Sequence, residues 1–196
     1  VKELLSLNIN NEKVIAEIES RTKNYNIQLG NINQKFENKI DKIPKNLRNA
    51  LLSMEDREFY NHSGVRFEAI LRASIVNMLT LSKKQGASTI TQQLARNMFE
   101  VQIGFERRIV RKLKELQVAF ALERSYTKNQ ILETYINEIN YGHGWWGIQT
   151  AARNYFAKNA SELNPAETAL LAAIPNRPGY YSPLRNPENA RNRRNI

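Results

Sequence analysis

Apolar side chains return at helical spacing through Leu47, Ala50, Leu51 and Met54, with Pro44 just ahead as a starting signal. The spacing predicts a helix with one buried face that ends near Glu55, and Asn61, Ser63 and Gly64 mark the turn out of it. Residues Val65 to Leu81 carry a second stripe through Phe67, Ile70, Leu71, Ile75, Met78 and Leu79, closed by Lys83-Lys84-Gln85-Gly86. Thr89-x-x-Gln92 fits a capping box for a helix running toward Asn97. A further amphipathic helix is predicted from Arg107 to Glu123, with Ile109, Leu113, Leu116 and Phe120 as its apolar stripe. Thr127-x-x-Gln130 opens another through Asn137, and the glycine-punctuated loop Tyr141 to Gly147 leads into one containing Ala151, Ala152 and Tyr155. Asn164-Pro165-x-Glu167 starts a last helix that ends before Pro175. The Pro- and Arg-rich chain from Asn176 on reads as irregular. Residues 1–43 are Asn- and Lys-rich, with a weak helix near 11–22 and a strand-like 27–32, and read as an arm or neck. The expected architecture is a mainly α domain over 44–196 with little or no β structure.

Composition sharpens this picture at two points. The absence of cysteine removes disulfides and thiolate chemistry, and His62 and His143 form no H-E-x-x-H helix, which disfavours a zinc hydrolase. The chain has no run of 18 apolar residues and no signal-peptide pattern at Val1. The net charge of +10 points to a polyanionic partner: nucleic acid, anionic head groups or pyrophosphate. Ten basic residues against four acidic ones between Lys83 and Lys128 place over half of the surplus in that quarter of the chain.

Candidate chemistry gathers in four stretches. The decapeptide Glu55 to Gly64 holds three carboxylates, His62, Phe59 and Tyr60. A glutamate at a helix edge, half desolvated by those rings, has the character of a general base, whereas the plainer reading is an acidic turn capping the next helix. Gly86-Ala87-Ser88-Thr89-Ile90-Thr91-Gln92-Gln93-Leu94-Ala95-Arg96-Asn97 surrounds a helix N-terminus with more polar groups than a cap needs, as for a phosphate or sugar. Arg108, Arg111, Lys112 and Glu115 fall along one helix flank and could hold a diphosphate, or Arg111 and Glu115 could form only a solvated pair. Glu133 and Asn137 lie one turn apart and read first as buried braces between helices. His62 reads as a satisfied structural histidine, and Trp145 and Trp146 as core or loop anchors ahead of sugar platforms.

In this order and spacing the stretches resemble the peptidoglycan glycosyltransferase family (glycosyltransferase family 51), the polymerase module of class A penicillin-binding proteins and of monofunctional transglycosylases. The resemblance spans roughly Ile43 to Ile196. It rests on Glu55-Asp56-x-x-Phe59-x-x-His62-x-Gly64, Gly86-x-Ser88-Thr89-Ile90-x-Gln92-Gln93, Arg111-Lys112-x-x-Glu115, Ile131-Leu132-Glu133-x-Tyr135-x-Asn137 and Ala172-Ala173-Ile174-Pro175. Ala87 stands where a second glycine is common and Arg96 where lysine is frequent, which keeps the charge and adds a fork. The first 40 residues match poorly, and these 196 residues contain no transpeptidase domain.

The resemblance implies a lysozyme-like helical fold that polymerises lipid II into glycan strands. Glu55 would be the general base on the acceptor sugar, with inversion at the donor anomeric carbon and release of undecaprenyl pyrophosphate. Arg96, Arg111 and Lys112 would hold the diphosphate, and Glu115 would position substrate or a divalent cation such as Mg²⁺. Ser88, Gln92, Gln93 and Asn97 would hold sugar or phosphate oxygens. Asp56, Phe59, His62, Gly86, Thr89, Arg108, Glu133, Tyr135 and Asn137 complete the implied substrate-binding set. The implied partners are lipid II, the nascent strand, an anionic membrane surface and a fused transpeptidase domain, on the outer face of the cytoplasmic membrane. The apolar stretch Met98, Phe99, Val101, Ile103 and Phe105 would dip into that surface, and an anchoring helix is expected before Val1. Two alternatives carry the same residues differently: a lytic muramidase with Glu55 as acid, and a basic helical nucleic-acid binder that would leave Glu55 idle.

Overall fold

The computed structural model describes residues 39–69, 71–72, 88–103 and 108–196, with the side chains of 99–103 and 108–111 left aside. All of these lie within one compact unit, Asn38–Ile196. The architecture is mainly α. Among the described residues the helices with both ends placed are α1 (Lys45–Glu55), α2 (Ile90–Ile103), α3 (Arg108–Ser125), α4 (Lys128–Glu138), α5 (Ile148–Phe156), α6 (Pro165–Ala173) and α7 (Pro187–Arg194); residues 67–69 and 71–72 are also helical. No strand occurs among the described residues, and the only β pairing there is an isolated bridge between Asn140 and Trp146.

Helix α4 is the central member, because every residue from Ile131 to Asn137 is buried. It packs on α2 and α5, α2 also packs on α3, and α6 lies between α1 and α7. Leu47 and Leu51 of α1, Ile90 and Leu94 of α2, Ile131, Leu132, Tyr135 and Ile136 of α4, and Leu171 of α6 share one apolar core. Ile43, 1% exposed, joins that core ahead of α1. The predicted caps form: Thr127 with Gln130, Asn164 with Glu167, and Thr89 with Gln92, whose Thr89 N–H donates to Gln92 Oε1 at 3.4 Å while Gln92 N–H donates to Thr89 Oγ1 at 3.2 Å.

Four expectations are revised. Helix α2 continues past Asn97 to Ile103. On α3 two residues of the expected stripe face outward, Leu113 at 43% and Phe120 at 36% exposure, Leu116 is half-buried, and Glu115, Ala119 and Leu122 face the interior; the side chain of Ile109 lies outside the described set. The small Ala119 allows close approach to the chain at Gly64, where an added Cβ would sit 2.8 Å from Glu123 Cγ. Phe67 and Leu71 likewise face outward, while Ala69 is buried; most of the predicted 65–81 helix, with its Lys83–Gly86 close, lies outside the described residues. Finally, the Arg-rich end is helical. Pro187 occupies the first helical position, Glu188 sits in the first turn and Arg191, Arg193 and Arg194 in the last, so both ends of α7 carry the charge that its dipole favours.

The loop between α4 and α5 is closed by backbone bonds from Tyr141 N–H to Trp145 O (2.9 Å) and from Gly147 N–H to Ile139 O (3.0 Å). Gly147 has φ +78°, and a Cβ there would lie 2.4 Å from the Asn137 carbonyl oxygen. Gly147→Ala is therefore expected to destabilise the domain by about 2 kcal/mol or more, read as a lowered thermal midpoint.

Candidate active site

Glu55 is the last residue of α1. Its Oε2 accepts a hydrogen bond from Gln93 Nε2 at 2.9 Å, whereas Oε1 is shielded from solvent without a well-formed hydrogen bond. Burial pushes the Glu55 carboxyl above its ordinary value; the Gln93 amide, the Arg193 guanidinium and the Asn176 amide pull it back, and Asp56 adds to the rise. A largely desolvated carboxyl with a raised pKa, held by neutral amides, has the character of a general base.

The neighbouring motif residues build the frame. Asp56, 3% exposed, accepts at Oδ2 from the Ile90 N–H at 3.1 Å, which ties the end of α1 to the first turn of α2. His62 Nδ1 accepts from the Gly64 N–H at 3.0 Å, so the imidazole proton sits on Nε2 and is donated to Asp56 Oδ2 at 2.9 Å. Phe59 is fully buried, with the Lys128 ammonium 4.5 Å from its ring centre. The structural reading of His62 fits this geometry.

Glu55 lies on the wall of a cavity of about 600 Å³, whose rim carries Arg57, Arg66, Arg72, Arg193 and Arg194. None of these five arginines belongs to the motif stretches apart from Arg57. The sequence signal for two of them was the Arg191–Arg194 run, which becomes meaningful only once α7 folds back against α6.

A second cluster forms where α2 meets α3. Glu115, 2% exposed in its side chain, lies 3.2 Å from Arg96 Nε and 2.9 Å from Lys112 Nζ. Lys112 also donates to Ser88 Oγ and Gln92 Oε1, both at 3.3 Å. The structure thus brings Ser88, Gln92, Arg96, Lys112 and Glu115 together. Thr89 sits at the cap, donating through Oγ1 to Gly64 O at 2.6 Å. Arg108 and Arg111 are placed on α3 by backbone alone, and Gly86 lies outside the described residues. The partners of Glu115 are cations, and among the described residues no three His, Asp or Glu side chains converge on one point. This donor set suits an anion and does not fit a divalent cation.

Gln93, Arg96 and Asn97 line a pocket of about 150 Å³ together with Tyr135, Trp146 and Pro178. Trp146 is 51% exposed there, so of the two expected roles, core or loop anchor, it fits the loop one, bridging to Asn140 through its backbone. Tyr135 is fully buried and donates its hydroxyl to Gln93 Oε1 at 3.1 Å. Glu133 accepts from the Ile40 N–H at 2.8 Å, and Asn137 Nδ2 donates to the Glu133 carbonyl at 2.9 Å. Glu133 therefore braces the segment before α1 rather than lining the pocket.

The transglycosylase family profile matches residues 19–196. Penicillin-binding protein 1A of Aquifex aeolicus is 46% identical over 165 residues, which cover 84% of this chain and 22% of the relative. Penicillin-binding protein 1F of Bacillus subtilis is 43% identical over 155 residues, covering 79% of this chain and 21% of that protein. Penicillin-binding protein 4 of the same organism is 44% identical over 145 residues, 74% of this chain and 23% of the relative. The chain thus spans about a fifth of the length of these relatives. By profile and identity together, the chain belongs to the transglycosylase family of peptidoglycan glycosyltransferases.

Proposed function

We propose that residues 44–196 form a catalytic module that joins lipid II units into glycan strands, preceded by an N-terminal arm. In this reading Glu55 takes the proton from the 4-hydroxyl of the acceptor sugar. The freed oxygen attacks the donor's anomeric carbon from the face opposite the lipid diphosphate, forming the O4–C1 bond with inversion. The C1–O bond breaks and its electron pair leaves on the diphosphate. That leaving group departs as an anion and needs charge stabilisation, which Arg96 and Lys112 supply with Ser88 and Gln92 beside them. The observation that carries the reading is the desolvated Glu55 carboxyl on a cavity wall, with Gln93 linking it to the helix that bears Arg96.

A lytic muramidase would use the same carboxyl as an acid, but its leaving group is an uncharged sugar hydroxyl, and the Arg96–Lys112 cluster would have no task. Because the substrates are lipids, the module works against a membrane, with the α2 extension beyond Asn97 and the nearby cations meeting anionic head groups. No described helix is long and apolar enough to cross a bilayer. A bilayer anchor and a transpeptidase partner belong to the longer protein expected from the length of the relatives.

Incubation with labelled lipid II in detergent or vesicles tests the assignment: polymer and free undecaprenyl pyrophosphate are expected. Release of soluble muropeptides from finished cell wall, without polymer, would support the muramidase instead. Lys112→Ala should weaken donor use about tenfold, the worth of one charged hydrogen bond to a diphosphate.

A further inference from the structure

We propose that Tyr135 is a positioning residue for the reaction, acting on Glu55 through the Gln93 amide by fixing which end of that amide meets the carboxylate. The proposal rests on Glu55 serving as the base. The chain of contacts is short: Tyr135 hydroxyl to Gln93 Oε1 at 3.1 Å, and Gln93 Nε2 to Glu55 Oε2 at 2.9 Å. A primary amide has a donor end and an acceptor end, and turning it over exchanges them. With its carbonyl held by the tyrosine proton, Gln93 presents N–H to the carboxylate and so favours the ionised, base-competent form. Turned over, it would aim a carbonyl oxygen at Glu55, an arrangement that suits only the protonated acid.

Tyr135 is suited to this task. Its ring is completely enclosed in the core on α4, so its position is set by packing, and the hydroxyl works at a distance from solvent. Burial holds the phenol well above its ordinary value, so it keeps the proton that it donates. The neighbouring Gln92 is engaged instead with Lys112. Of the two adjacent glutamines, one serves the cationic cluster and the other serves the base. In this reading Tyr135 acts through Gln93, although its side chain also borders the small pocket that Gln93, Arg96 and Asn97 line.

Other charges also face Glu55: Asp56 at its own helix end, Arg193 from α7, and Arg57, Glu58, Arg66, Arg72 and Arg194 around the cavity, with the Asn176 amide nearby. Arg96 and Tyr141 face Tyr135 itself. None of these is altered in the variants below, so a change in the titration of Glu55 isolates the relay.

The test is the pH dependence of kcat/KM for polymerisation. In Tyr135→Phe the ring remains but the pin on the amide is lost. The acid limb should move up by about one pH unit, with activity recovering toward the parent level at high pH. Gln93→Leu should shift the limb in the same direction, and the double variant should shift it no further than Gln93→Leu alone. A limb that stays in place, or an equal loss at every pH, would overturn the proposal, as would additive shifts. Should Tyr135→Phe not fold, an unmoved limb in Gln93→Leu, at a partly exposed site, overturns it alone. Glu55→Gln run alongside separates the two failures. If that variant is inactive while both limbs stay fixed, only the relay falls; if it polymerises normally, the base assignment falls first.

Discussion

Glu55→Gln is expected to lower the polymerisation rate by about a thousandfold or more, the usual weight of a positioned general base, while lipid II binding persists. The amide is close in shape to the carboxyl and can still accept from Gln93 Nε2, so the cavity wall keeps its form. What disappears is the capacity to take a proton. Stability should move the other way. Burial raises the Glu55 carboxyl in the folded state, so its favourable contribution is fully present below the unfolded-state value and is lost as pH rises through the folded one. The glutamine variant has no such titration. Its melting temperature should therefore gain on that of the parent protein as pH rises from the ordinary carboxyl range toward neutrality. An inactive variant that is also no less stable at pH 7 is the signature of a group held for chemistry at the expense of the fold. Undiminished strand synthesis would remove Glu55 from the mechanism.

The contrast between what the sequence revealed and what it hid follows from range. Local signals were read correctly where the physics is local. Thr127 with Gln130 and Asn164 with Glu167 cap the helices they open, and Glu55 lies at the end of α1 as its apolar spacing implies. The α3 stripe failed because hydrophobicity alone does not choose between flanks. Glu115 must be inside to meet Arg96 of α2, and that rotates Leu113 and Phe120 outward. Helix α7 was hidden by a rule applied too broadly: proline was read as a breaker, although Pro187 sits where a helix tolerates it best. The arginines around Glu55 come from segments far apart in the chain, and no spacing rule connects position 66 or 72 with 193. Gln93 and Tyr135 stood in the motifs, yet their mutual contact spans 42 residues and needs the packing of α2 on α4.

Glu115→Gln is expected to have the second largest effect and to show which task that carboxylate performs. Its side chain is 2% exposed, while those of Arg96 and Lys112 are 42% and 38% exposed. Removing the charge from a buried acid paired to two cations would cost 3–5 kcal/mol in a closed interior, roughly. Here both cations can swing toward water, so about 2 kcal/mol is the better expectation, or a melting point lower by roughly 4–8 °C. The functional consequence separates affinity from rate. With the acid neutralised, the local potential becomes more positive, so donor retention at low salt should hold or improve. The cations are no longer pinned over the leaving group, however, and a displacement on the order of 1 Å in such groups lowers turnover by about a hundredfold. A loss of kcat together with lower stability is therefore expected, with little loss of donor affinity. Were Glu115 instead a direct ligand of substrate or of a divalent cation, its neutralisation would abolish activity and leave the melting point unchanged. Measuring thermal midpoint and single-turnover rate on the same preparation decides between a tether for cations and a ligand in its own right.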